Sequence, residues 1–268
     1  MIFVSIYRLL PDYHQNNKNN SFLLILVILC FIYIIFDISK SFIPLKKPKG
    51  TICIVIDDFG FSNDDIVKQF FHINPNLTVA IIPNTTFSSA IGKYADSVGI
   101  ETIIHMPMES HEVIQKKYPL SLNQKLNSKL VEERIRIAFN NLPNALGMNN
   151  HQGSKATENL QLMKNIARTL KKLDKFFLDS FTNPESRGFI TMRRFGVPTQ
   201  LRQIFLDHIE DKNKIKQNLD SLKVLSHSMD IAIGIGHVKP TTLEVLMEEI
   251  PKLESEGYKF IKLSQAVK

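Results

Sequence analysis

The 268-residue sequence predicts an α/β fold: an irregular βα barrel of seven or eight strands, preceded by one hydrophobic helix. Three observations carry this expectation. Short β-branched runs alternate with longer amphipathic stretches from Thr51 onward. Polar residues follow the apolar runs at nearly every turn. One long apolar run stands apart near the N-terminus.

That apolar run, Phe22–Phe36 (FLLILVILCFIYIIF), has no charged residue, and Ile38 extends it past Asp37. A membrane span needs about 20 apolar residues, with a lower limit near 17. Residues 22–38 therefore read as a transmembrane signal anchor behind an N-terminal segment, 1–21. A cleaved signal peptide is the alternative, since its apolar core runs about 7–15 residues. No Ala-x-Ala-like site follows, however; the next residues are Asp37, Ile38, Ser39, Lys40 and Ser41. A buried soluble helix would need a polar face at helical spacing, which is missing. Residues 39–49 form a basic linker, with Pro44 and Pro48 among the lysines.

Charge follows the same division. The net charge is +7; residues 1–50 carry six Lys/Arg against two Asp, and the remainder 27 against 24. The excess therefore flanks the apolar run, where lysines meet anionic headgroups. A nucleic-acid partner would need a basic stripe in the folded domain, and none is visible. Cys30 lies in the apolar run and Cys53 in a strand-like run, which excludes a disulfide framework and a Cys-rich zinc site.

Residues 50–268 read as one domain. Strands are expected at Ile52–Ile56, Leu77–Ile82, Glu101–Ile104, Ala145–Met148, Phe176–Leu178, Gln203–Leu206 and Ile231–Ile235, with Lys259–Ile261 a short last one. Helices are expected at Asn63–Phe71, Ser88–Ser97, Ser128–Asn141, Thr157–Lys172, Glu185–Phe195, Asp211–Ser228 and Thr241–Glu256. Ser62 or Asn63 would cap the first helix and Thr241 the seventh.

A βα barrel does its chemistry at the carboxyl ends of its strands. Here the runs end in Asp57-Asp58, His105, Asn149-Asn150-His151, Asp179, Asp207-His208 and His237. A single Asp in such a place commonly caps a helix, and a single His is commonly structural. Six such positions on one rim outweigh those readings. Asp and His without Cys suit a hard-to-borderline divalent ion, zinc first. No Gly-rich phosphate loop follows any strand, which argues against a nucleotide enzyme.

The segments ICIVIDDFG (52–60), IIHMPME (103–109), MNNHQGSKAT (148–157), FFLDSFT (176–182), IFLDH (204–208) and GIGHVKPTT (234–242) together resemble the divergent polysaccharide deacetylase family, within the NodB-like carbohydrate esterase superfamily. The resemblance spans essentially all of 50–268. It implies a NodB-like barrel and a metal-dependent hydrolase that removes N- or O-acetyl groups from an envelope polysaccharide. It implies Asp57 as general base, His237 as general acid, and Asp58, His105 and His151 as metal ligands. Asp179 and Asp207 would orient the base or the acid. Glu109 stands where the wider superfamily has a second histidine, and is either a fourth ligand or the partner of a ligand histidine. Phe59, Phe61, Tyr94, Tyr118 and Phe181 are the aromatic candidates for a sugar-binding rim.

This class implies an inner-membrane anchor with the C-terminal domain in the periplasm or otherwise outside the cytoplasm. The Lys/Arg count around the apolar run points the other way. Two further readings stay open: a weak or inactive module of the same fold that binds a cell-wall glycan or envelope protein, and a metallohydrolase acting on a peptide or small amide.

Overall fold

The computed structural model describes residues 24–34, 47–112 and 118–267. The chain divides into two units, Met1–Lys47 and Pro48–Lys268. In the first, residues 24–34 form a helix (α1) whose side chains are exposed. Among the described residues no helix is long and apolar enough to cross a membrane. The predicted anchor at 22–38 is therefore not supported by the part of it that is described; its ends, and most of the 39–49 linker, lie outside the described residues.

The second unit is a curled parallel sheet wrapped by helices. In chain order it runs β1 (Thr51–Phe59), α2 (Asp65–Phe70), β2 (Thr78–Ile81), α3 (Ser88–Ser97), β3 (Glu101–Met108), α4 (Ser128–Asn141), β4 (Gly147–Gln152), α5 (Leu160–Leu173), β5 (Phe176–Asp179) and α6 (Gly188–Phe195). It continues with β6 (Thr199–Leu201), β7 (Ile204–Phe205), α7 (Lys212–Ser228), β8 (Ala232–His237), α8 (Pro240–Glu256), β9 (Lys259–Phe260) and α9 (Leu263–Ala266). The strand order is β6-β5-β4-β3-β2-β1-β8-β7, with β9 paired to the start of β1. The edge strands β6 and β7 do not pair. Arg202 and Gln203 link them, and their amides donate to Asp179 O on one side and Ile233 O on the other. The result is a half-barrel, not a closed barrel.

Side chains alternate across each strand, so every strand has an inner and an outer column. Outer residues such as Ile52, Ile54, Ile56, Ile104 and Phe177 pack with the helices in the larger core. Inner residues Cys53, Val55, Ala80, Ile103, Leu178, Ile233 and Ile235 form a second core inside the curl. Helix α9 closes its floor: the Leu263 amide donates to Thr78 Oγ1 and the Ser264 amide to Glu101 Oε1.

The structure differs from the sequence expectation in four respects. Strands β1, β3, β4, β5 and β8 run on through polar residues expected to follow them, because those segments are still paired to their neighbours. Strand β6 was not expected, since Thr199–Leu201 is too short to show a pattern. Asp64, not Ser62 or Asn63, caps α2 by accepting from the Val67 amide, while Ser62 bonds Asp64 itself. Thr241 lies inside α8, which starts at Pro240 after Lys239, because Pro favours the first helical turn.

Candidate metal centre and active site

The inner columns turn polar toward the carboxyl end. Val55 gives way to Asp57, Ile103 to His105, Leu178 to Ser180 and Ile235 to His237; β4 adds Asn149 and His151. Pairing of Pro107 with His151, and of Asp57 with His237, sets these groups side by side. Asp58 has the wrong parity for this column. A bulge between Ile56 and Phe59, with Asp58 at φ 72, turns its carboxylate into the site as well.

Asp58, His105 and His151 converge. Asp58 Oδ1 lies 3.2 Å from His105 Nε2 and 3.0 Å from His151 Nδ1, and the two nitrogens are 3.0 Å apart. Three atoms so placed share a point about 2.1 Å from each, roughly 1 Å out of their plane, which is ordinary zinc coordination distance. Neither approach to Asp58 Oδ1 has hydrogen-bond geometry, so this buried oxygen lacks a hydrogen-bond partner among the described residues. A carboxylate and two imidazoles aimed at one point therefore fit a divalent ion.

The support behind these groups is specific. His105 Nδ1 donates to Asn149 Oδ1 at 2.7 Å, and Asn149 Nδ2 donates to Asp57 Oδ1 at 2.8 Å. An amide oxygen accepts only, so this bond fixes the tautomer that leaves His105 Nε2 free to ligate. Asp57 Oδ2 lies 3.6 Å from His105 Nδ1. Burial drives the Asp57 pKa up, against the pull of His105 and His237. Burial would raise Asp58 too, but the close approach and charge of His105 and His151 hold it well below the carboxylate range. Burial disfavours the imidazolium of His105, yet Asp57 and Asp58 overcome it and lift its pKa to about 9. Any bound cation competes with that proton. Burial, together with the neighbouring His105, lowers the His151 pKa against the pull of Asp58 and Asp57.

His237 stands at the end of β8. Its Nδ1 pairs with Asp207 Oδ1 at 2.6 Å, leaving Nε2 as the other proton-bearing atom. Asp207 is fully buried and also accepts from the His237 amide at 2.7 Å and Thr242 Oγ1 at 2.6 Å. Burial opposes the charge on both partners; the pair overcomes it, raising His237 and depressing Asp207. Phe205 stacks on His237, with centroids 5.9 Å apart and planes at 25°, and the Arg202 guanidinium lies 3.6 Å over the Phe205 ring.

Asp179 and Glu109 do other work. Asp179 follows Phe177 on the outer column, so it faces α6, where it accepts from the Phe181 and Phe189 amides and from Ser186 Oγ. It holds a loop and touches neither Asp57 nor His237. Glu109 pairs with Lys155 at 2.9 Å and accepts from the Gln124 amide, apart from the ligand cluster. Among the aromatic candidates, Phe59 is core, Tyr94 packs on Phe71, and Phe61 pairs with Tyr118, whose ring meets His151 at 5.2 Å. A cavity of about 290 Å³ joins Asp57, Asp58, His105, His151 and His237.

A parallel βα half-barrel with an Asp–His–His cluster at its carboxyl rim is the frame of a hydrolase fold. The chain belongs to the divergent polysaccharide deacetylase family, whose model matches residues 54–267. It is 32% identical over 217 residues to the uncharacterized protein YibQ of Escherichia coli K12, covering 80% of this chain and 67% of that one. An uncharacterized protein of Haemophilus influenzae Rd is 32% identical over 224 residues, covering 84% and 79%. Among solved structures, an uncharacterized protein from Agrobacterium tumefaciens C58 superposes with TM-score 0.77 at 17% identity, covering 83% of this chain and 91% of that one. A CE4 family pseudoenzyme from Bacillus anthracis superposes with TM-score 0.50 at 13% identity, covering 82% and 66%. At these identities the structural likeness is one of fold.

Proposed function

We propose that the domain is a metal-dependent deacylase that removes N- or O-acetyl groups from an envelope polysaccharide. The observation that carries this reading is the convergence of Asp58, His105 and His151 in a cavity that also holds Asp57 and His237. A divalent ion held by the three ligands, zinc being first choice for this donor set, would polarise an acyl carbonyl and acidify an attacking water. Asp57, with its pKa raised by burial, would accept that water's proton. His237, kept protonated by Asp207, would deliver a proton from Nε2 to the leaving amine or alcohol. An amide needs that acid, because an amine anion is a poor leaving group.

Acetylated envelope polymers lie outside the cytoplasm, so the domain is proposed to work there, and a reporter fused after Lys268 should respond as extracytoplasmic. The first test is the metal content of the full chain against His151→Ala. Near-stoichiometric zinc in the first and little in the second supports the reading. No metal in either, even with zinc added, sinks it. The second reading, a glycan-binding module without catalysis, draws on Glu109 being held by Lys155 and on the pseudoenzyme sharing the fold. Zinc-loaded protein that binds acetylated glycan but releases no acetate would favour it.

A further inference from the structure

Among the described residues, four buried side-chain polar atoms lack a hydrogen-bond partner: Asp58 Oδ1, His151 Nε2, Ser180 Oγ and Thr191 Oγ1. The residues of the first three line one cavity. Asp58 and His151 belong to the ligand cluster. Ser180 has no place in the chemistry above, and folding alone gives no reason to strand a hydroxyl there, because an unsatisfied buried group is costly.

The serine is also held with care. Ser180 directly follows β5, two residues beyond the inward-facing Leu178, lines the cavity with His151, and is 1% exposed. Its amide donates to Asn150 Oδ1 at 2.9 Å. Its carbonyl accepts from Arg202 Nε at 2.6 Å, and Arg202 also donates to Phe181 O at 2.8 Å. The backbone is thus pinned on both sides while the hydroxyl is left over. The neighbouring polar groups on that wall are committed elsewhere: Asn150 Nδ2 and Thr182 Oγ1 both donate to Gln152 O.

We infer that Ser180 is a substrate-binding residue whose hydroxyl hydrogen-bonds a ring hydroxyl of the acylated sugar unit in the cavity. Asn150 and Arg202 are its positioning residues. The ligand's class rests on the deacylase reading; the unmet hydrogen bond does not. A hydroxyl is both donor and acceptor, so it suits a sugar hydroxyl, which is the same. Arg202 serves both sides of the cavity, since its guanidinium also backs the Phe205–His237 stack.

The test uses the zinc-loaded full chain, Ser180→Ala and Ser180→Cys, with an N-acetylglucosamine tetramer as probe. Thermal unfolding without probe is the first readout. A serine kept for a ligand predicts that Ser180→Ala unfolds at the same temperature or about 2 °C higher, because a stranded hydroxyl is gone. A serine kept for the fold predicts a lower temperature, and that result overturns the inference. Probe binding is the second readout: Ser180→Ala should bind about tenfold more weakly, with Ser180→Cys no better because a thiol bonds poorly. Equal binding by wild type and Ser180→Ala also overturns it. If wild type neither binds nor deacetylates the probe, the sugar reading fails, and the unfolding comparison alone decides whether Ser180 awaits another ligand.

Discussion

Asp207→Asn is the sharpest probe of the acid side of the site, because it keeps the shape of the side chain and removes only its charge. The 2.6 Å contact with His237 is a charge-assisted bond between a fully buried carboxylate and a ring a quarter exposed. Such a bond contributes about 1.5–3 kcal/mol. Removing the charge should therefore lower the His237 pKa. A second cost arises at Oδ2, which accepts from the His237 amide and Thr242 Oγ1. An NH2 group there faces a backbone N–H that cannot turn away, which costs about 1–3 kcal/mol more. Together these lower the melting temperature by roughly 10 °C in a domain of this size. The pH dependence has a definite sign. The His237 pKa is raised in the fold, so its contribution is complete below its unfolded value near 6.5 and fades as pH climbs through the folded value. The Asp207 pKa is depressed, so its contribution is complete above about 3.9 and fades as pH falls through the folded value. The gap between wild type and Asp207→Asn should be widest between about pH 4 and 6.5 and should narrow as pH climbs from there through the folded His237 value. NMR titration of the His237 imidazole and thermal unfolding at those pH values measure both effects. An unmoved His237 pKa, or a gap independent of pH, would refute the assignment of Asp207 as the partner that charges the acid.

Three further outcomes follow from the geometry. Asn149→Leu removes the acceptor that sets the His105 tautomer, so zinc affinity should fall roughly 10–100-fold with the fold intact; unchanged affinity in a chelator competition would show that Asn149 does not matter. Asp57→Asn should keep bound zinc while lowering any deacetylase rate by about 10²–10⁴, and loss of zinc to the same extent would make Asp57 a ligand instead. Gly188→Ala places a Cβ 2.4 Å from Asp179 Oδ2, so it should lower the melting temperature by several degrees, and a neutral result would mean that α6 can shift freely.

Much of this was legible in the sequence, and the reason is periodicity. Helices α3 and α4 carry an apolar stripe long enough to mark both ends, and their expected bounds coincide with the observed ones. The strands were legible as apolar runs because both faces are buried. Strand β6 was not, since three residues cannot show a period. The same period separates the site residues more finely than the rule that polar groups follow strands. In FFLDS, Leu178 faces inward, so Asp179 must face the helices and Ser180 the cavity; counting by twos would have set Asp179 aside and found Ser180. Asn149 was visible in the run MNNHQ, but its bond to His105 depends on the register between β3 and β4, which no single strand contains.

The adjacent carboxylates Asp57 and Asp58 show where local sequence alone cannot reach. In an unbroken strand they point to opposite faces, one into the cavity and the other into the helix layer beside Ile56. One site can use both only if the strand breaks its alternation between them. The bulge does this by placing Asp58 at φ 72, a left-handed conformation that costs an L-residue about 1–2 kcal/mol and that Asp tolerates better than most. The consequence appears one residue later. Phe59 should share the inward face of Asp57, yet it packs in the outer core against Phe70 and Phe71. Burying that ring anchors the far side of the bulge, at roughly 2–3 kcal/mol for a fully buried Phe. That burial more than offsets the strain at Asp58, and the irregularity is held by the same aromatic cluster that packs α2 against β1.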